Sequence, residues 1–279
     1  MPIHDQGYRR YGGGRAPRGR AWAVIAAAGI RTFLARRAFL GLLLISWSLF
    51  FGRAGQILLA GNLQQAAFLA PTPDTFRQFL EQQGFFVYCV TVYVGAGLIA
   101  NDRRANALQI YLSKPLTRAE YVFGKLSILM TFLLLVTWVP AIILLMLQIA
   151  FAGNFTFFRN NAFLFPAITL LSFIEVVMVS MSMLALSSLS NSSRYVGILY
   201  TALVFFTQAL YGVLTFVTGG SGISWVSFPA SLTQVGNAIF RLPPRYDTPW
   251  PVSLLTIFVL IAVSGVILER RVRGVEVVA

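Results

Sequence analysis

The sequence predicts an all-α, polytopic membrane protein: six transmembrane helices, an amphipathic N-terminal helix lying in the interface, and a short helix in a cytoplasmic connection. Three observations carry this. Of 279 residues 57% are hydrophobic and 11% charged, and the mean hydropathy is +0.73, too apolar for a soluble domain of ordinary composition. Six apolar stretches reach the ~20 residues that a helix needs to cross a bilayer. Seventeen of the 22 Lys and Arg residues fall on one side of such a six-span plan and five on the other. Positive connections are retained in the cytoplasm, so both termini are expected there.

Residues 1–20 are rich in Gly and Arg with almost nothing to bury, which predicts a disordered basic cytoplasmic tail near anionic headgroups. Residues 21–279 then read as a single six-helix domain. Its opening run, "AWAVIAAAGIRTFLARR", is too short to span before Arg31, Arg36 and Arg37 arrive, so it is expected to lie in the cytoplasmic interface. A secretory or twin-arginine signal is the competing reading, disfavoured because further spans follow instead of a polar mature domain.

The spans are expected near 38–60, 85–100, 124–150, 163–188, 195–218 and 251–268. Arg53 interrupts the first, but it stands ~22 Å along a helix entering at Ala38, within snorkelling reach of the far interface. On the outer side, "PTPDTFRQFLEQQG" predicts a short helix with Thr72 as N-cap, Pro73 in the first turn and Gly84 as its stop. Phe76, Phe79 and Leu80 share one of its faces. In the outer segment from Gly219 to Trp250, "ASLTQVGNAIFRL" predicts a second helix ended by Pro243 and Pro244, and Trp225 and Trp250 mark the interface. These outer pieces either cap a substrate path or shield the end of the bundle.

Glu175 falls in the middle of the fourth span. An ionised carboxylate facing lipid costs several kcal/mol, so this side chain is expected to face the bundle, a cavity or a partner. It is the candidate residue for a substrate or proton path, the structural alternative being a carboxyl that is protonated, or hydrogen-bonded to neighbouring Ser side chains, and serves only the helix packing.

The polar connection between the second and third spans, Asn101 to Lys125, carries the most local information. Leu108, Tyr111 and Leu112 recur at i, i+3 and i+4, which makes a short amphipathic helix. Pro115 disfavours helical geometry at Lys114 and breaks the chain direction. Thr117 and Glu120 form a capping box, with Leu116 and Tyr121 in staple positions, so a new helix starts firmly at Thr117. The result is a short helix pinned between two spans, with a basic rim from Arg103, Arg104 and Arg118. It reads either as a surface helix whose arginines serve topology, or as a docking element for a cytoplasmic partner.

The run "GLIANDRRANALQIYLSKPLTRAEYVFGKL", Gly97 to Leu126, resembles the segment shared by permease subunits of type-2 ATP-binding cassette exporters. The matching residues are Asp102 and Arg103, Pro115, Thr117 and Arg118, and Gly124 and Lys125. The resemblance implies that the short helix is a coupling helix gripped by a separate cytoplasmic ATPase, which binds the ATP and Mg²⁺. The coupling residues it implies are Asp102, Arg103, Arg104, Leu108, Tyr111, Leu112, Pro115, Thr117, Arg118 and Glu120. It further implies a second permease, identical or paralogous, and a multi-pass location in a plasma membrane of the bacterial inner-membrane kind.

The residues exclude several other classes. A P-loop needs G-x-x-x-x-G-K-[ST], whereas Gly124-Lys125 is followed by Leu126 and preceded by Ala119 where the first Gly belongs. ATP must therefore be hydrolysed by another chain, and no cofactor is expected in this one. Cys89 and His4 are the only residues of their types, too few for a disulfide or a Cys/His metal site. Nucleic acid is an unsuitable partner because the soluble stretches are short; membrane lipids suit the basic excess better. Two alternatives stand beside the exporter permease: an ion- or proton-driven carrier or channel, and a membrane anchor for a cytoplasmic ATPase. The substrate is not legible.

Overall fold

The computed structural model describes residues 21–62, 71–106, 117–151, 159 and 161–272, all of whose regular elements are helical. Six helices are long and apolar enough to cross a membrane: Arg37–Gly61, Pro73–Arg104, Arg118–Phe151, Leu164–Leu189, Ser193–Thr218 and Trp250–Arg271. They cover the six expected spans. The expected tail, residues 1–20, lies outside the described residues.

Three spans carry local breaks with identifiable causes. The first turns at Trp47, where Gln83 of the second span donates its Nε2 to the Ser46 carbonyl at 3.2 Å. The third divides into Arg118–Val136 and Trp138–Phe151. Pro140 has no N–H to give and its ring crowds the Val136 carbonyl, so the axis breaks at Thr137. The second span passes from Pro73–Val90 into a π-helical turn, Thr91–Gly95, before a short helix, Ala100–Arg104. Asn106 closes that end at φ 51°, a left-handed position Asn tolerates.

The expected outer helix starts where its capping residues require. Thr72 donates its N–H to Thr75 Oγ1 at 3.1 Å, Pro73 follows, and Phe76, Phe79 and Leu80 are all buried. Gly84 does not stop it: the helix runs on to Val90 as the start of the second span. An interior Gly costs only about 1 kcal/mol, and the packing of Phe76, Phe79, Leu80 and Val87 outweighs it. The second outer helix is Phe228–Ile239, capped by the Ser227 hydroxyl, and therefore begins ahead of the predicted Ala230. It ends before the prolines: Arg241 sits at φ 57°, and the Leu242 N–H returns to the Asn237 carbonyl at 2.8 Å. Gln234 of this helix clamps the chain beyond, donating to the carbonyls of Tyr246 and Thr248 and accepting from the N–H groups of Arg245 and Tyr246.

The fourth span is the axis of the packing. Toward the basic end, which carries Arg37, Arg103, Arg104, Arg118 and Arg194, its Val176, Met183 and Leu184 join Val90, Val94, Ile99, Leu129 and Phe132 in one core. Toward the other end Leu164 and Ile168 join Phe76, Phe79, Ile142, Leu145 and Phe240 in a second. The fifth span buries only Val196, Gly197 and Tyr200 and leaves Phe206, Val213 and Phe216 exposed.

The N-terminal helix, Ala21–Leu34, runs alongside the start of the third span. Ile25 meets Gly124, Gly29 meets Ile128 and Phe33 meets Phe132, one turn apart each time. A Cβ on Gly124 would stand 2.9 Å from the Ile25 Cβ and 3.0 Å from the Trp22 carbonyl oxygen, neither of which can swing away. Gly124→Ala is therefore expected to lever the N-terminal helix off the third span, at a cost of about 1–3 kcal/mol. Faster amide exchange across residues 21–34, with unchanged membrane insertion, is the expected signature; unchanged exchange there would contradict the contact.

Candidate functional site

The two ends of the polar connection are braced against each other. Lys125 Nζ lies 2.7 Å from Asp102 Oδ2, and the Tyr121 hydroxyl donates to the same oxygen at 2.8 Å. The ammonium also lies 5.6 Å from the centre of the Tyr121 ring. Asp102 ends the second span and Tyr121 and Lys125 open the third, so one carboxylate ties both. Its side chain is 19% exposed and that of Lys125 12%, so water screens the pair only in part, and both residues line the groove beside the N-terminal helix.

The capping box is formed in full. Glu120 N–H donates to Thr117 Oγ1 at 3.2 Å, and Thr117 N–H donates to Glu120 Oε2 at 3.0 Å. The third span thus starts at a fixed residue. Arg103 donates to the Ser188 carbonyl, which attaches the end of the second span to the end of the fourth. Arg104 and Arg118 are exposed on the same rim. Leu108, Tyr111, Leu112 and Pro115 lie outside the described residues.

A second tie sits one layer deeper. The irregular backbone between the π-helical turn and Ala100 frees polar groups that an ordinary helix would pair, and Ser187 of the fourth span takes them up. Its Oγ accepts from the Ile99 N–H at 3.1 Å and the Ala100 N–H at 3.0 Å, and donates to the Ala96 carbonyl at 3.0 Å. Gly95 allows the approach, since a Cβ there would stand 2.4 Å from Met183 Cγ. In the sequence Tyr121 stands out only as a staple position and Lys125 only within the run Gly97 to Leu126, and Ser187 and Ser188 do not stand out at all. Opposite charges flanking the connection were the available signal for Lys125; nothing local marks either serine.

Glu175 is 5% exposed and makes no hydrogen bond or ion pair among the described residues. The nearby serines do not engage it: Ser182 donates to the Met178 carbonyl, and Ser172 and Ser180 have no partner. It lines a cavity of about 360 Å³ enclosed by the second, fourth and fifth spans and the helix Phe228–Ile239. Arg77 and Glu81 line this cavity and also a cleft of about 660 Å³ with Pro243, Pro244 and Arg245, so they form the partition between the two. Nearer the basic end, a larger groove of about 1130 Å³ runs between the N-terminal helix, the second span and the fifth, with Arg36, Asn101 and Arg194 on its wall.

At the basic end Asp102, Arg103 and Ser187 bond to partners on another helix, which ties the second span to the third and fourth; in the cavity the Glu175 carboxyl has no such partner among the described residues. Comparison with known families matches residues 24–246 to the family described as ABC-2 family transporter protein. No curated protein matches the chain.

Proposed function

The chain belongs to the ABC-2 family of transporter proteins, and on that premise we propose that it is the permease subunit of an exporter driven by a separate cytoplasmic ATPase. The observation that carries the reading is the joint at the basic end. Asp102, Tyr121 and Lys125 clamp the bases of the second and third spans. Thr117 and Glu120 fix where the third begins. Arg103 and Ser187 extend the clamp to the fourth. A push on the connection between residues 105 and 117 cannot be absorbed by slack at its ends, so it moves three spans together.

In this reading the basic end faces the cytoplasm with both termini, and ATP and Mg²⁺ are held by the partner. The uncovered apolar face of the fifth span, with Phe206, Val213 and Phe216, supports a second permease packed there. The amphipathic run Leu108, Tyr111, Leu112 is the surface offered to the ATPase. Leu108→Asp with Tyr111→Asp is expected to abolish substrate-stimulated ATP turnover and co-purification of the ATPase, while the protein still inserts. Full retention of both would refute the docking role.

A further inference from the structure

We propose that the cavity around Glu175 is a binding site for a hydrophobic monocation, a protonated or quaternary amine carrying aromatic or alkyl groups. The inference rests on the permease reading for the ligand's fate, namely transport, and on the cavity alone for its chemistry.

Charge decides the sign of the ligand. Glu175 and Arg77 both line the cavity, but the Arg77 guanidinium is already used: Nε lies 3.0 Å from Asp74 and Nη1 2.8 Å from Glu81. Glu81 in turn holds Arg245 at 2.9 Å. The one charge-bearing group on the wall left without a partner is therefore the acid. A carboxylate shielded from water requires a proton or a positive partner, and a neutral apolar ligand would supply neither.

The walls decide the rest. Phe85, Tyr88, Tyr200, Phe205 and Phe228 line the same space as Glu175. Three of these rings are locked together: Tyr88 and Tyr200 stack with centroids 6.1 Å apart, and Phe205 meets Tyr88 edge-on at 5.8 Å. The Tyr88 hydroxyl is fixed by Thr201 at 2.7 Å. Prearranged aromatic faces attract desolvated cations, and a volume of about 360 Å³ suits a small drug-sized body. A site serving only proton transfer needs no such volume and no aromatic lining. Arg77 and Glu81, shared with the neighbouring cleft, form a polar, ion-paired wall at that side of the cavity.

The test is equilibrium dialysis of the purified full chain in detergent with labelled tetraphenylphosphonium. Unlabelled benzyltriethylammonium serves as a smaller competitor, and tetraphenylborate as the same shape with the opposite charge. Saturable cation binding is expected, displaced by benzyltriethylammonium and not by tetraphenylborate. Glu175→Gln should weaken it about ten-fold or more, as expected for loss of a charged contact. Val204→Trp, which crowds the cavity wall and leaves the carboxyl in place, should abolish it. Absence of saturable cation binding, equal binding by Glu175→Gln, or equally tight tetraphenylborate would each overturn the proposal. If Glu175→Gln aggregates on size exclusion, Val204→Trp and the charge-reversed probe still decide. Because binding is read on the permease alone, failure to find an ATPase partner would remove the transport reading and leave the cation site standing, and the reverse holds equally.

Discussion

Asp102→Ala is expected to destabilise the protein by about 2–3 kcal/mol, less than the loss of a fully buried ion pair because both side chains keep some exposure, and, on the permease reading, to impair ATPase coupling. The expectation follows from the geometry at Asp102 Oδ2, where an ammonium and a phenol converge within 2.8 Å. Removing the carboxylate leaves Lys125, only 12% exposed, without its partner. Lys125→Met on top of Asp102→Ala should therefore regain much of the lost stability, because the stranded charge is then gone. Coupling should stay impaired in the double variant, since the second and third spans are no longer tied. Tyr121→Phe removes one hydrogen bond to a carboxylate and should cost about 1.5 kcal/mol. Thermal unfolding in detergent and substrate-stimulated ATP turnover separate the two effects. If the single and double variants melt alike, the ion pair does not hold this end together.

The joint also accounts for why one stretch of sequence was so informative. Asp102, Thr117, Gly124 and Lys125 were noticed as a pattern along the chain, and the fold makes three of them contacts between elements: Asp102 reaches Lys125, and Gly124 admits Ile25 of the N-terminal helix. The capping box is local, needing only the backbone between Thr117 and Glu120, and was legible outright. The six spans were legible for a related reason: an apolar run of bilayer length has few alternatives. Gly84 does not act as a stop because the burial of Phe76, Phe79 and Leu80 outweighs its local cost and carries the helix past it into the bundle.

The cavity was only half legible. Glu175 stood out because a lone acid in an apolar span demands an explanation. Its aromatic surroundings come from the second and fifth spans, and no spacing rule joins Tyr88 to Tyr200 or Phe205. The neighbouring serines offered a plausible partner in sequence, since Ser172 and Ser182 are within a few turns. The described structure gives Glu175 no bond to them. These serines share one helix with Glu175, so spacing and side-chain rotamers decide the outcome: Ser182 turns back to the Met178 carbonyl of its own helix.

Ser187 was illegible altogether, 88 residues from Ile99 in the chain, and it yields the sharpest test of the joint. Ser187→Ala is expected to cost about 3 kcal/mol or more, because three groups are orphaned at about 1–3 kcal/mol each: the N–H of Ile99, the N–H of Ala100 and the carbonyl of Ala96. Ser187, Ile99 and Ala100 are all fully buried, so water does not replace the hydroxyl readily. Ser188→Ala is the matched control. Ser188 is equally buried, but its hydroxyl donates only to the Ala185 carbonyl within its own helix, at 2.6 Å. That carbonyl has other means of satisfaction, and the Arg103 contact uses the Ser188 backbone, which alanine keeps. Ser187→Ala should thus melt well below Ser188→Ala, and its amide exchange should quicken across residues 96–104 while the rest of the second span stays protected. Equal melting of the two variants would mean that the π-helical turn satisfies itself, and the fourth span would then have no hydrogen-bonded hold on the backbone at this bend.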